Sequence, residues 1–385
     1  MKQVNRIIST YSADVFGAVS ALFELGGMIV IHDPSGCNST YTTHDEPRWF
    51  DSKTLLYISA LTERDAILGN DKKFIDDVTK TALLQKPKFI ALLSAQMPAM
   101  LGIDMNGISK VIEKNTNIKT FALPTTSMQD YSVGISLALK KIAGIIIENT
   151  KKHYPPNLRK GVNILGLTPL DFALNGADKA ITEFFENQDI PVISTFAMNT
   201  DFDKLNNAYK AAYNIVVSYG GLSAAKTMKK AWNIPYIIGL PVGMVGENIL
   251  KLIKTNNNGA AYNLNLNLKK EKKFYLIYES IIAASLATAL EHEIGCKITV
   301  INTTTTEKEF IRTGDEVFKS ESDLEEKFKR ADLIIADPMY QAIAGNTPFI
   351  PLPHTAFSGR TYRGDTLNLA EDFYKIVDEI KKYKL

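Results

Sequence analysis

His32-Asp33-Pro34-Ser35-Gly36-Cys37 places a thiol at the end of a turn that follows the apolar run Ile29-Val30-Ile31. A strand ending at Ile31 opens its loop at the carboxyl edge of a parallel sheet, where α/β proteins place ligands. Pro34 and Gly36 shape the turn, and if Cys37 sits near the N-terminus of a following helix, the dipole would lower its pKa and favour the metal-binding thiolate. Read alone, Cys37 is also a small buried hydrophobe. Cys296, the other of the 2 cysteines, precedes an apolar run and reads as structural. The histidines form no H-E-x-x-H pair, and Glu291-His292-Glu293 reads as a solvated helix face because neighbouring helical residues point apart. No G-x-x-x-x-G-K-[ST] loop is present, so ATP hydrolysis by this chain is not expected. The glycines of Gly239 to Gly246 surround Pro241 and read as a strand-to-helix loop rather than a dinucleotide site.

Composition narrows the classes. The chain has 385 residues, 44 Lys and Arg against 42 Asp and Glu, a net charge of +2 and 45% hydrophobic residues. That balance leaves no basic footprint for nucleic acid or an anionic membrane. No run approaches the roughly 18 apolar residues of a membrane span, and Met1 to Thr10 lacks a signal-peptide core, so a cytoplasmic location is expected. Two cysteines build no disulfide framework and cannot by themselves supply four thiolates to a cluster.

These residues need a scaffold, and the hydrophobic pattern describes it. Short β-branched runs, such as Met28 to Ile31, Phe89 to Leu93, Gly161 to Leu167, Tyr213 to Ser218 and Asp332 to Ala336, alternate with helical spacing over Ala13 to Leu25, Asp71 to Leu84, Val133 to Glu148 and Ile281 to Leu290. This is an α/β chain with parallel sheets and helices on both faces. The beat breaks at Lys151 to Lys160 and at Lys254 to Lys273, whose Lys269 to Lys273 charge run reads as solvated linker. Three Rossmann-like domains follow, at 1–155, 156–265 and 266–385.

Four stretches together resemble the nitrogenase component 1-type oxidoreductases, a family that includes the molybdenum-iron protein and reductases of tetrapyrroles. His32 to Cys37 is similar to its H-x-P-x-G-C turn, Leu61 to Asn70 to its T-x-x-E-x-D-I-V-F-G-G segment, Ser94 to Asp104 to its S-x-C-P-x-x-L-I-G-D-D segment, and Leu352 to Gly359 to its H-S-x-D-Y-S-G stretch. The resemblance implies three domains around a central cleft. It also implies an iron–sulfur cluster at a subunit interface, a homodimer or a heterodimer with a similar subunit, and electrons from a separate ATP-dependent iron–sulfur reductase.

The departures from the pattern shape the functional reading. Tyr11 and Gln96 stand where the family has two further cluster cysteines, leaving Cys37 alone as a metal ligand, with Tyr11 and Asp33 as oxygen candidates. A [4Fe–4S] cluster takes about four protein ligands, so any such cluster must be shared across an interface. Ser218 stands at the family's cofactor-anchoring cysteine, and no iron–molybdenum cofactor is expected. Ser218, Tyr219, His354, Ser358, Arg360, Tyr362 and Arg363 are candidates to line a substrate pocket in the cleft, with His354 the candidate proton donor; Arg360 and Arg363 read equally as surface residues. Two functions follow: a reductase subunit passing electrons from an interface cluster to an unsaturated substrate, or a non-catalytic structural subunit or cofactor-assembly scaffold. A binder of nucleotide sugars is a third and weaker reading, since such enzymes also pair Rossmann domains.

Overall fold

The computed structural model describes residues 6–36, 38–41, 45–52, 54–150, 154–268 and 270–383. Its strands form three sheets, and every strand pair is parallel. The first contains β1 (Met28–His32), β2 (Leu55–Ile58), β3 (Ile90–Ser94) and β4 (Thr120–Leu123) in the order β2-β1-β3-β4. The second contains β5 (Val162–Leu165), β6 (Val192–Thr195), β7 (Tyr213–Val216), β8 (Tyr236–Ile238) and β9 (Gly259–Ala260) in the order β6-β5-β7-β8-β9. The third contains β10 (Lys270–Leu276), β11 (Cys296–Asn302), β12 (Glu316–Val317), β13 (Leu333–Ala336) and β14 (Phe349–Pro351) in the order β12-β11-β10-β13-β14.

The central strands β1, β3, β5, β7 and β13 are buried at every residue. That is why they read as unbroken apolar runs rather than alternating ones, since helices cover both faces. Strand order reverses between β1 and β3, between β5 and β7, and between β10 and β13. Each reversal leaves a crevice at the carboxyl edge of its sheet, the usual place for a ligand in this architecture.

Two sequence expectations change. The charge run does not stay linker: β10 begins at Lys270, and Lys272 and Lys273 are exposed near its start. Glu291 is not on a solvated face either. It is buried, its carboxylate accepts from Arg312 Nη1 at 3.1 Å and from the Ile298 amide at 2.9 Å, and only His292 beside it is exposed. Cys296 is buried at the start of β11, with its sulfur 3.7 Å from the Lys297 carbonyl.

One continuous apolar core runs through all three sheets. Its keystone is the helix Tyr131–Asn149, which packs on Asp14–Leu22 from its own stretch of chain and on Leu222–Trp232 from the second. Glycines permit the approach. A Cβ on Gly134 would lie 1.8 Å from the Asp14 carbonyl oxygen, and one on Gly220 would lie 2.3 Å from Ile135 Cγ2.

Candidate functional site

The turn after β1 is tied down on both sides. Ala95 donates its amide to the His32 carbonyl at 3.2 Å, and Leu61 donates to the Asp33 carbonyl at 2.9 Å. Asp33 is buried, and its Oδ2 accepts from the Ser35 amide at 3.2 Å, while Ser35 takes a left-handed φ of 84°. The sequence puts a small polar residue and then Gly36 at the point where the chain must reverse. His32 stacks on Phe74 at 4.2 Å, its Nδ1 lies 2.7 Å from Ser59 Oγ, and burial pushes its pKa down to about 4. It is neutral at any ordinary pH, a wedge under the turn rather than a charge. Cys37 itself lies outside the described residues.

Tyr11, one of the expected cluster residues, packs against Tyr41 at 4.9 Å between ring centroids, and its phenol donates to Asp45 Oδ2. Burial, then the Asp45 carboxylate, raise its pKa well above that of an ordinary tyrosine. Arg360 donates to Asp45 Oδ1 at 3.1 Å, and Arg363 donates to the Asp45 carbonyl at 2.6 Å. The two arginines thus hold Asp45 from the third sheet's side, and most of the Arg360 side chain is exposed. Gln96 is exposed as the first residue of the helix Gln96–Leu101.

The remaining candidates meet where the three sheets face each other. His354 is 1% exposed and stacks on Tyr278 at 4.1 Å and on Phe357 at 5.2 Å. Its Nε2 lies 3.0 Å from Asp171 Oδ1. The same oxygen accepts from the Tyr131 hydroxyl at 2.5 Å, and the Tyr278 hydroxyl donates to the Asp171 carbonyl at 2.8 Å. Asp171 Oδ2, fully buried, makes no hydrogen bond. Ser218 is also fully buried and donates to the Gly166 carbonyl at 2.6 Å; Ser358 donates to the His354 carbonyl at 3.3 Å. The Tyr219 amide donates to Glu279 Oε1 at 2.9 Å. Burial and the neighbouring Asp171 carboxylate push Glu279 up to about 8.

The structure therefore brings Ser218, Tyr219, His354 and Ser358 into one junction and places Arg360 and Arg363 apart from it. Tyr131, Asp171, Tyr278 and Glu279, which the sequence reading did not single out, complete that junction. A signal existed for two of them: Tyr278-Glu279-Ser280 stands where a strand hands over to a helix, and Glu279 caps that helix through the Ile281 and Ile282 amides at 3.1 and 3.0 Å.

Residues 14–250, more than half of the chain, match the family model described as nitrogenase component 1 type oxidoreductase. The chain belongs to the nitrogenase component 1-type oxidoreductase family. It is 26% identical over 265 residues to the nitrogenase iron-molybdenum cofactor biosynthesis protein NifE of Clostridium pasteurianum, a match covering 67% of this chain and 55% of that protein. It is 23% identical over 217 residues to one of the subunits of the light-independent protochlorophyllide reductase of Porphyra purpurea, covering 54% of this chain and 42% of that protein. The chain thus spans about half the length of these curated relatives. Nitrogenase Cp1 at pH 6.5 shares the fold, with a TM-score of 0.72, 18% identity and coverage of 100% of this chain and 94% of that one. No helix among the described residues is long and apolar enough to cross a membrane.

The motif resemblance implies an iron–sulfur cluster, and the donor set here bears on whether this chain holds one. Among the described residues no three His, Cys, Asp or Glu side chains come together as a metal site. The Tyr11 phenol keeps its proton for Asp45, which works against phenolate ligation, and the Gln96 amide is a poor iron ligand. The described residues therefore do not fit a cluster held by this chain alone. Ser218, at the anchoring position, spends its hydroxyl on backbone.

Proposed function

We propose that this chain is a non-catalytic, cofactor-assembly type of subunit in a component 1-type complex, and that its interdomain cleft takes its cargo transiently. One observation carries the reading: the side chains that would face a resident cofactor are engaged with the protein itself, Ser218 with Gly166, His354 with Asp171 and Tyr11 with Asp45. A resident iron–sulfur group is held by thiolates, which a protonated phenol at Tyr11 and a serine hydroxyl at Ser218 do not supply. The likeness to NifE, whose name states cofactor biosynthesis, supports the same reading. The partner is a second component 1-like chain docked over the Cys37 turn. Helices Glu63–Leu68 and Gln96–Leu101 follow β2 and β3, the neighbours of β1, and expose Ile67, Leu68, Met97 and Met100 beside that turn.

The decisive experiment is iron and sulfide analysis with electron paramagnetic resonance on anaerobically purified protein, with and without Cys37→Ala. The proposal expects substoichiometric iron and no substrate reduction when an ATP-dependent reductase is supplied. Stoichiometric iron that disappears in Cys37→Ala, together with turnover, would establish the reductase reading instead. That second reading draws its support from the braced turn that precedes Cys37 in sequence.

A further inference from the structure

We propose that Asp171 is the bolt of a three-domain latch: while its carboxylate holds Tyr131 and His354 the cleft is shut, and its release opens the cleft to expose His354, Ser218 and Tyr219. The inference rests on the reading of that cleft as a transient binding site. Its first support is connectivity. Tyr131 comes from the stretch after the first sheet, Asp171 from the loop after β5, and His354 and Tyr278 from the third sheet's stretch, and all four are buried. Three hydrogen bonds to one residue thus join three parts of the molecule. Such a residue is a natural point of cooperative release, because losing one partner weakens the hold on the others.

The second support is the cost that closure leaves behind. Asp171 Oδ2 has no partner, and the hydroxyls of Thr168 and Thr355 are buried without partners at the two short helical segments that pack together here, Pro169–Phe172 and Thr355–Ser358. A buried polar atom left unpaired is destabilising. The hydrogen bonds and ring stacking that hold the closed state are thus offset in part by three unpaired buried oxygens, a local cost that opening to a cargo would relieve. The third support is charge. The titratable groups the structure sets against Asp171 are Tyr131, His354, Tyr278 and Glu279, with Asp130 acting on Tyr131 and Asp337 on Tyr278, and none of these is a lysine or arginine. A cargo that brings hydrogen-bond donors or positive charge to Oδ2 stabilises the open form more than the closed one, which is what a ligand must do to shift an equilibrium.

The test is hydrogen exchange followed by mass spectrometry on the full chain, comparing wild type, Asp171→Ala and Tyr131→Phe. The latch predicts exchange faster by about tenfold or more in Asp171→Ala over segments 131–136, 168–172 and 354–358, with strands 90–94 and 298–302 unchanged. Tyr131→Phe removes one hydroxyl and predicts a rise of roughly threefold to tenfold in the same three segments; it decides the matter if Asp171→Ala does not fold. Unchanged exchange in those segments, or a uniform rise that includes the core strands, overturns the latch. Neither readout needs bound iron, so this outcome is separate from that of the metal analysis.

Discussion

Glu279 accepts from the Tyr219, Ile281 and Ile282 amides and from the Ser280 hydroxyl, donors that favour its charge, yet burial and Asp171 outweigh them and raise it from 4.5 to about 8. A carboxyl whose folded pKa is raised stabilises the fold fully below its unfolded pKa and loses that contribution as pH rises through the folded one. Stability is therefore expected to fall between pH 4.5 and about 8, on the order of a few kcal/mol, and Glu279→Gln is expected to flatten that slope. Urea titrations at several pH values check it; parallel slopes in the two proteins would rule it out. This group shows what a sequence can and cannot disclose at the scale of single residues. The turn before Cys37 was legible because Pro34 and Gly36 act locally. The junction was not, because Asp171 lies 40 residues from Tyr131 and 183 from His354, and no local spacing encodes such a meeting.

At the scale of elements, the central strands were legible because burial on both faces leaves an unbroken apolar run, as Ile90–Ser94 shows. The two-residue strands Gly259–Ala260 and Glu316–Val317 were not, since each is a short edge pairing with no apolar pattern of its own. The helix Tyr131–Asn149 contains two glycines with opposite fates. At Gly134 any side chain meets the Asp14 backbone at 1.8 Å, whereas at Gly144 nothing lies within 4 Å. Gly134→Ala is expected to lower stability by about 3 kcal/mol or more, as overpacking against rigid backbone does. Gly144→Ala is expected to raise it by roughly 0.5–1 kcal/mol through helix propensity. Thermal unfolding of the two variants measures both, and a stable Gly134→Ala protein would show that the two helices do not pack this closely.

At the scale of the whole molecule, the apolar rim of the Cys37 turn gives the association proposed above a direct test. Met100 and Ile67 are 70% and 74% exposed and, with Leu68 and Met97, are the apolar side chains a docked partner would cover. Ile67→Lys with Met100→Lys is expected to weaken association by at least tenfold without changing Tm, as read by light scattering on the eluting protein. An unaltered oligomeric state would move the partner to another face. The continuous core has a different consequence, for synthesis. Ile135 and its neighbours on Tyr131–Asn149 are covered by Gly220 and the helix Leu222–Trp232, residues made some eighty positions later. While the ribosome works through that interval, at ~5–20 residues per second, the nascent chain around the first sheet shows a bare greasy flank, the kind of surface that chaperones hold.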